Sequence, residues 1–253
     1  MKKIVALFVL AFALLAGVGA YYVFNYVGLN NPSYARYPVR GIDVSSEQEA
    51  LDASDFSGQG NQFAFIRASE GSKQDEMFEQ NVSIAKEAGL VVGAYHTFDY
   101  DVPGVVQANK FIACVPKDDE MLPPVIDIDL YGVYAEKPTY AQRVQQTLDA
   151  MIGRLESHYG KTPVLRATQR TYELYIMDHY RAYPLWIRSV LRAPNLPNNA
   201  GWTFWQYSSE NENAYHMNTF SGNIKQFEAF VAKKIVPTAT EEDWDMIEDD
   251  EEE

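Results

Sequence analysis

The chain has 253 residues, of which 47% are apolar and 13% aromatic. This is the composition of a globular protein with one sizeable core, and it excludes a disordered or fibrous chain. The single cysteine excludes an intramolecular disulfide framework and a metal site built from several cysteines. The formal net charge of -14 argues against nucleic acid as a partner, because phosphate binding needs a basic surface.

The amino-terminal segment is apolar and uncharged from Ile4 to Phe24, and it follows Lys2 and Lys3. A run of about 20 apolar residues spans a bilayer as a helix, and the preceding lysines hold that end in the cytoplasm. The alternative is a signal peptide cleaved after Ala20. We therefore assign residues 1–27 to a signal anchor or signal peptide. Both interpretations predict export, either membrane-anchored and facing the periplasm or cell exterior, or secreted.

A short linker, residues 28–39, is rich in turn-forming residues. After it, short apolar runs alternate with helical patterns. The runs are apolar almost throughout, as expected of strands covered on both faces. They are Val39–Val44, Phe63–Ala68, Val91–Phe98, Pro124–Leu130, Pro163–Thr168, Pro184–Ile187 and Trp202–Tyr207. The predicted helices are Asp75–Ala88, Val102–Cys114 and Thr139–Tyr159.

This alternation predicts an α/β fold in which a parallel sheet with crossover helices closes into a TIM-like β/α barrel of seven or eight strands, over residues 40–230. Residues 231–253 follow as an acidic tail. Residues 241–253 hold ten acidic and no basic residues, so the other 240 residues carry -14 + 10 = -4. A run of like charges repels itself, which predicts a solvated, disordered tail or an interaction tail.

Chemistry in such a barrel is expected where the strands end. Asp127 and Asp129 lie two residues apart in the run Pro124–Leu130, so on a strand both point to one face with Cα atoms roughly 6.5 to 7 Å apart. Two carboxylates that face one space raise the pKa of at least one of them, as general acid catalysis needs. The alternatives are loop capping, cation binding or pairing with Arg67. Asp43 either adds a third carboxylate or caps a turn.

Other strand ends carry candidate contacts to a sugar, since rings stack on its apolar faces and polar groups bind its hydroxyls. The candidates are Tyr95, Trp186, Trp205 and Tyr207 for stacking, and Arg67, Glu70 and Gln206 for polar contacts. The alternatives are core packing for the rings and an ion pair between Arg67 and Glu70. His96 is either catalytic or a hydrogen-bonded core residue. Adjacent strand residues point oppositely, so Trp202, Phe204 and Trp205 do not all face one groove.

Six segments in this order and spacing together resemble glycoside hydrolase family 25, the lysozymes of the Chalaropsis type. They are GIDVSS, FAFIRASEG, VVGAYHTF, PPVIDID, PLWIR and WTFWQYSS, and the resemblance covers about Arg40 to Phe230. It implies an irregular β/α barrel with N-acetylmuramidase activity. Such an enzyme cuts the β-1,4 bond between N-acetylmuramic acid and N-acetylglucosamine, so peptidoglycan glycan strands are the implied partner.

The resemblance also implies site residues. Asp43 matches the first aspartate of the family, and Asp127 with Asp129 matches its D-x-E pair. Asp129 replaces the glutamate that the family uses as proton donor, which places the carboxyl about 1.5 Å back, and an error near 1 Å costs on the order of 100-fold in rate. His216 stands where the family often has an aspartate, and Arg166 where it usually has a tyrosine.

On this basis Asp129 is the proposed acid, kept protonated by Asp127. Asp127 and Asp43 stabilise developing positive charge or orient the acetamido group of the substrate, which in the family is suggested to assist as an internal nucleophile. His216 joins the candidate substrate-binding residues. The competing hypotheses are a catalytically weakened or inactive glycan-binding barrel of the same family and an unrelated barrel hydrolase that acts on another polysaccharide.

No cofactor or metal is predicted, because the sequence has no glycine-rich phosphate loop and no Cys/His ligand spacing. Cys114 lies in an apolar helical stretch and is interpreted as a buried, inert thiol. The sequence does not specify an oligomeric state.

Overall fold

A computed structural model describes residues 9, 11–19, 21, 32–48, 52–57, 60–208 and 215–233. Within these residues, nine strands form one sheet, and eight of them close into a barrel. The strands are β1 (Arg40–Val44), β2 (Phe63–Glu70), β3 (Lys73–Gln74), β4 (Val91–Thr97), β5 (Val125–Asp127), β6 (Val164–Thr168), β7 (Leu185–Arg188), β8 (Phe204–Gln206) and β9 (His216–Phe220). The two-residue β3 pairs only with the end of β2, outside the closed ring.

Seven of the barrel strands run parallel, from β1 through β2, β4, β5, β6 and β7 to β8. The prediction of a closed barrel in an α/β fold is confirmed. The expectation of a wholly parallel sheet is wrong, because β9 was not foreseen and pairs antiparallel with both β8 and β1. A parallel connection needs a crossover of a dozen or more residues, and the segment 207–215 is too short for one.

Helices cover the outside of the barrel. They are α1 (Ala53–Ser57), α2 (Phe78–Glu87), α3 (Gly104–Cys114), α4 (Val133–Glu136), α5 (Ala141–Tyr159), α6 (Gln169–Thr171) and α7 (Ile224–Ala232), with a π-helical turn at Tyr172–Ile176 and a 3-10 turn at Pro197–Asn199. The three predicted helices are confirmed as α2, α3 and α5, each starting two or three residues later than expected. The α5 helix ends as predicted at Gly160, whose φ of 64° lies in the left-handed region.

The two faces of the strands bury different sets of residues. Rings fill the lower interior of the barrel, mainly Phe63, Phe65, Trp186, Phe204 and Phe220, and Phe227 of α7 packs onto them. Outward residues pack against the helices in a second core. The barrel interior is therefore a packed core and not a pore, and only its upper end is polar.

The structure describes only part of the segments that precede and follow the barrel. Residues 9, 11–19 and 21 are helical, and within the described part of the chain no helix combines the length and apolarity needed to cross a bilayer. The rest of the predicted segment Ile4–Phe24, and residues 234–253 of the predicted tail, lie outside the described residues. Of the predicted linker, residues 32–39 lie against the barrel, where Tyr37 contacts the rings of Trp202 and Trp205.

Candidate active site

A polar pocket lies inside the barrel at the carboxyl ends of the parallel strands, and we call it the mouth. Asp43, Asp127, Arg166 and Gln206 reach it from β1, β5, β6 and β8. Because β9 is antiparallel, its amino-terminal residue His216 pairs with Asp43 at the same end. Strand alternation therefore turns these side chains into one space, as the sequence predicted for Asp43 and Asp127.

Arg166 is the centre of the mouth. Its Nη1 donates a short hydrogen bond to Asp127 Oδ2, its Nη2 lies 2.5 Å from Gln206 Oε1, and the same nitrogen lies 3.6 Å from Asp43 Oδ2. The guanidinium carbon stands 4.5 Å from the ring centroid of Trp186. Only 8% of Arg166 is exposed. The residue that replaces the tyrosine expected from the resemblance is thus a buried cation that bridges two carboxylates.

Asp43 is held from three sides. Its Oδ1 accepts a hydrogen bond of 2.6 Å from Asn218 Nδ2, and its Oδ2 lies 2.9 Å from His216 Nδ1. Burial by itself raises the pKa of Asp43, but His216, Arg166 and Asn218 together outweigh it, so the pKa is lowered. Asp43 is therefore a carboxylate at neutral pH.

Asp127 behaves differently. Burial raises its pKa to about 6, against the attraction of Arg166, and the negative charges of Asp129 and Asp43 add to the rise. Its Oδ1 is buried and has no hydrogen-bond partner among the described residues. The carboxyl of the pair with a raised pKa is therefore Asp127, mainly because of burial, whereas the sequence pointed to Asp129 as the protonated acid.

Asp129 is not on the strand with Asp127, because β5 ends at Asp127. The prediction that Asp129 lies on the same strand as Asp127 is therefore wrong, although the charge of Asp129 still acts on Asp127 at the same end of the barrel. The Oδ2 atom of Asp129 lies 2.9 Å from Arg188 Nη1, and its Oδ1 accepts the backbone N–H of Leu130. Its side chain is 30% exposed and that of Arg188 43%, so the pair lies at the rim of the mouth.

Arg188 and Asn218 were missed by the sequence reasoning, although both carried a signal. Arg188 lies two residues after Trp186 on β7, and Asn218 lies two residues after His216 on β9. Each shares the inward face of its strand with a residue that the sequence predicted to bind the substrate, Trp186 or His216. Asn218 also accepts the indole N–H of Trp186 at 2.8 Å, which fixes its amide for donation to Asp43.

Arg67 is engaged by other protein groups. It donates to Asp75 Oδ2 at 2.8 Å, to Glu47 Oε1 at 2.7 Å and to Ser46 Oγ at 3.1 Å. Glu70 lies 3.7 Å away and is half exposed. The structural alternative, an ion pair, describes Arg67 better than sugar binding, although Asp75 and Glu47 are closer partners than Glu70.

The aromatic candidates are placed in the core. Trp186 is fully buried, and its ring stacks on Phe65 with centroids 4.4 Å apart. Tyr95 is 5% exposed and lies beside Trp186. Trp205 and Tyr207 belong to the outward core because they alternate with the inward Gln206. The assignment of these four rings to stacking on a sugar is therefore corrected: their faces pack against protein.

His96 is also a core residue. It is completely buried, with Nδ1 2.8 Å from Ser69 Oγ and Nε2 2.9 Å from Gln107 Oε1. Burial lowers its pKa to about 4, so it is neutral at physiological pH. Across the described ranges, no group of three or more His, Cys, Asp and Glu side chains is arranged to hold a metal ion.

A closed β/α barrel with acidic side chains gathered at the carboxyl end of its strands is the architecture of a barrel hydrolase. Known proteins make the class specific, because the profile of the family described as "Glycosyl hydrolases family 25" matches residues 42–216. The chain belongs to glycosyl hydrolase family 25, which confirms the resemblance found in its sequence.

Individual relatives agree with this assignment. The uncharacterized protein YegX of Escherichia coli K12 is 32% identical over 210 residues, which are 78% of this chain and 75% of YegX. Lysozyme M1 of Streptomyces globisporus is 28% identical over 188 residues, which are 68% of this chain and 62% of that protein.

Solved structures show the same fold. A family 25 glycosyl hydrolase from Bacillus anthracis superposes with a TM-score of 0.75 at 41% identity, covering 77% of this chain and 94% of that one. A bacterial lysozyme from Streptomyces coelicolor gives a TM-score of 0.69 at 26% identity, covering 77% and 97%.

Proposed function

We propose that the protein is an exported peptidoglycan hydrolase, a muramidase that cleaves the β-1,4 bond between N-acetylmuramic acid and N-acetylglucosamine. The observation that carries the proposal is that Asp43, Asp127 and Asp129, matched to the acidic residues of the family, gather at one end of the barrel. The likeness to Lysozyme M1 supports the same activity.

Cleavage of a glycosidic bond needs a proton for the leaving oxygen and negative charge near the sugar carbon. Asp129 is the proposed proton donor, since it is the most exposed of the three carboxyls and lies at the rim where a glycan strand arrives. Asp43 and Asp127, which are buried deeper in the mouth than Asp129, supply the negative charge near the sugar carbon. The Asp129 carboxyl is held by Arg188, so substrate binding has to separate those two side chains before the carboxyl reaches the glycosidic oxygen.

The second candidate is a barrel that binds glycan without cleaving it. The observation that favours it is that every carboxylate of the site has an arginine partner, Arg166 for Asp43 and Asp127, and Arg188 for Asp129. An arginine neutralises the charge that an oxocarbenium-like transition state requires. In this alternative the fold and the location of the bound glycan are the same, but the glycosidic bond is not cleaved.

Release of muropeptides from purified cell wall separates the two. Asp129→Asn and Asp129→Glu are compared with the unmodified protein, and Asp178→Asn, an exposed aspartate outside the mouth, is the matched control. A muramidase loses at least about 100-fold of its rate in Asp129→Asn and none in the control. Clearing by Asp129→Glu alone identifies the binding barrel, and unchanged turnover in Asp129→Asn refutes Asp129 as the donor.

Export is part of the proposal, because peptidoglycan lies outside the cytoplasmic membrane. The uncharged segment Ile4–Phe24 behind two lysines supports it. Fusion of a reporter that is active only outside the cytoplasm to residue 233 tests this step. The amino-terminal residue of the mature protein distinguishes an anchor, which keeps residues 1–27, from a signal peptide cleaved after Ala20. A reporter that stays inactive contradicts export.

A further inference from the structure

A second concave surface lies on the barrel, far from the mouth. It is an open hollow of about 390 Å³, within the range of about 300 to 1,000 Å³ that is typical of small-molecule sites. Its lining includes Arg36, Tyr37, Asn195, Asn199, Trp202 and Ser221.

The topology places the hollow at the opposite end of the barrel. Tyr37 precedes β1 and Trp202 precedes β8, so both lie at the amino ends of parallel strands. Ser221 follows β9, which runs in the opposite direction, so it lies at that same end. A ligand in the hollow therefore shares no residue with the mouth.

Two aromatic rings form the apolar part of the hollow. Tyr37 and Trp202 have centroids 5.4 Å apart at an angle of 47°, and both pack on Trp205, whose own indole N–H is already donated to the Ser189 carbonyl. Trp205 lies behind them as a fixed support, while Tyr37 and Trp202 remain partly exposed. Rings held at a set angle are pre-organised for stacking.

The polar groups around these rings make no hydrogen bond within the described residues, although the Arg36 guanidinium lies over the Tyr37 ring with its carbon 5.3 Å from the ring centroid. Within the described residues, no hydrogen bond or ion pair engages the Arg36 guanidinium, the Tyr37 hydroxyl, the Trp202 indole N–H or the side-chain amides of Asn195 and Asn199. These groups together supply several donors and two amide oxygens. By contrast, Arg67 and Arg166 donate their hydrogen bonds to other groups of the protein.

The backbone of this loop is strained beside the hollow. Asn198 and Asn199 have φ values of 57° and 52°, the left-handed region that non-glycine residues rarely adopt in succession. Strained conformations of this kind persist where the surroundings hold them, and they cluster at ligand sites. Here they present the Asn199 amide at the edge of the hollow.

We infer that this hollow is a second glycan-binding site, which takes a pyranose residue, most suitably an N-acetylated amino sugar. The flat face of the sugar stacks on Trp202, while Tyr37 supports that ring and holds the Arg36 guanidinium over its own face. The amides of Asn195 and Asn199 with the Arg36 guanidinium bind the hydroxyl and acetamido groups of the sugar. A concave wall with planar polar side chains suits a sugar ring. A membrane surface would call instead for protruding rings. The site binds the wall at the end of the barrel opposite the proposed cleavage site.

The test measures binding of a β-1,4-linked N-acetylglucosamine tetramer by calorimetry to the full-length protein in detergent. An Asp127→Asn background is used throughout, so that the result does not depend on whether the mouth cleaves the sugar. In this background Trp202→Ala and Asn199→Gly are expected to weaken binding at one site by about tenfold or to remove that site. Asn199→Gly keeps the positive φ available and therefore preserves the fold. Tyr140→Ala, an exposed tyrosine elsewhere, is the control.

Loss of a site in both hollow variants with retention in Tyr140→Ala supports the proposal. Unchanged affinity and stoichiometry in Asn199→Gly and Trp202→Ala overturns it. It is also overturned if Trp202→Ala leaves tetramer binding intact and instead lowers association with vesicles of phosphatidylglycerol and phosphatidylethanolamine, which would identify a membrane contact. Absence of wall cleavage by the unmodified protein refutes the proposed muramidase and leaves this result standing.

Discussion

Arg166 lies at the centre of the mouth, where cationic and anionic side chains alternate. One buried cation bridges Asp43 and Asp127, and one partly exposed cation pairs with Asp129. A buried pair is costly to break from one side, because the remaining charge is left without water or partner. The charge proposed for catalysis and the stability of the mouth therefore depend on the same residue.

The pH dependence of activity should reflect Asp127. Its pKa of about 6 predicts that muropeptide release rises as the pH increases through about 6, since the ionised form supplies the negative charge. Arg166→Gln removes a cation that lowers this pKa, so the acidic limb of the pH profile should move to higher pH. Arg143→Gln, an exposed arginine, is the control. A limb that stays in place in Arg166→Gln excludes Asp127 as its origin.

The two arginines should differ in their effect on stability. Arg166→Gln is expected to lower the free energy of unfolding by about 3 kcal/mol, because it removes the ion-pair partner of the buried Asp127 and one of the three partners of Asp43. Arg188→Gln should change it by less than about 1 kcal/mol, because that pair is solvent-exposed. Urea unfolding followed by circular dichroism measures both. Equal losses would contradict the burial difference between the two pairs.

The pH dependence of stability has a definite sign for Asp127. Its folded-state pKa is raised above its ordinary value of 3.8, so the folded state binds the proton more tightly than the unfolded chain. The stability this contributes is present below about pH 4 and is lost as the pH rises through about 6. Asp43, whose pKa is lowered, contributes in the opposite direction.

At the element scale, neighbouring strands approach closely where a glycine faces a ring inside the barrel. A Cβ at Gly93 on β4 would lie 2.5 Å from the Phe65 ring on β2, and one at Gly41 on β1 would lie 2.5 Å from the Phe63 ring. These rings fill the interior because the two inward positions beside them carry no side chain. The packed lower half then supports the polar residues of the mouth above it.

Gly93→Ala should therefore destabilise the barrel by about 1 to 3 kcal/mol, the usual cost of overpacking a core. Gly201→Ala is the control, because a Cβ there meets nothing within 4 Å and its change in stability should stay within about 0.5 kcal/mol. Thermal unfolding of both variants measures the difference. A Gly93→Ala protein as stable as the control would show that Phe65 moves aside without cost.

At the scale of the whole molecule, residues 32–39 take the place of a covering helix over the hairpin of β8 and β9. Arg40 is completely buried, with its guanidinium carbon 4.4 Å from the ring centroid of Tyr34 and 5.2 Å from that of Tyr207. Its Nη2 also donates to the Pro32 carbonyl. The segment before β1 therefore belongs to the folded unit.

A protein that begins at Arg40 should consequently be less stable than one that begins at residue 28. Removing Tyr34 and Tyr37 exposes Arg40 and the Trp205 ring, and a loss of about 2 kcal/mol corresponds to a decrease in Tm of roughly 4 to 8 °C for a chain of this size. Differential scanning calorimetry of the two proteins checks this. Identical Tm values would mean that residues 28–39 are a linker only.

Local sequence patterns were sufficient to predict the architecture and most of the acidic site. Apolar runs and helical spacing specify the barrel because local periodicity reports which faces are buried, and alternation on β1 and β5 alone turns Asp43 and Asp127 inward. Six motifs in register identified the family. These features are encoded within short stretches of chain.

The ion-pair partners of the site residues and the ends of the strands could be read from the folded structure alone. Arg166 meets Asp127 across 39 residues of sequence, and Arg188 meets Asp129 across 59, distances over which no local pattern carries information. The end of β5 at Asp127, the reversed direction of β9 and the burial of Trp186 and Trp205 likewise follow from strand pairing. Pairing and packing are properties of the closed barrel, since each depends on which distant strand arrives beside another.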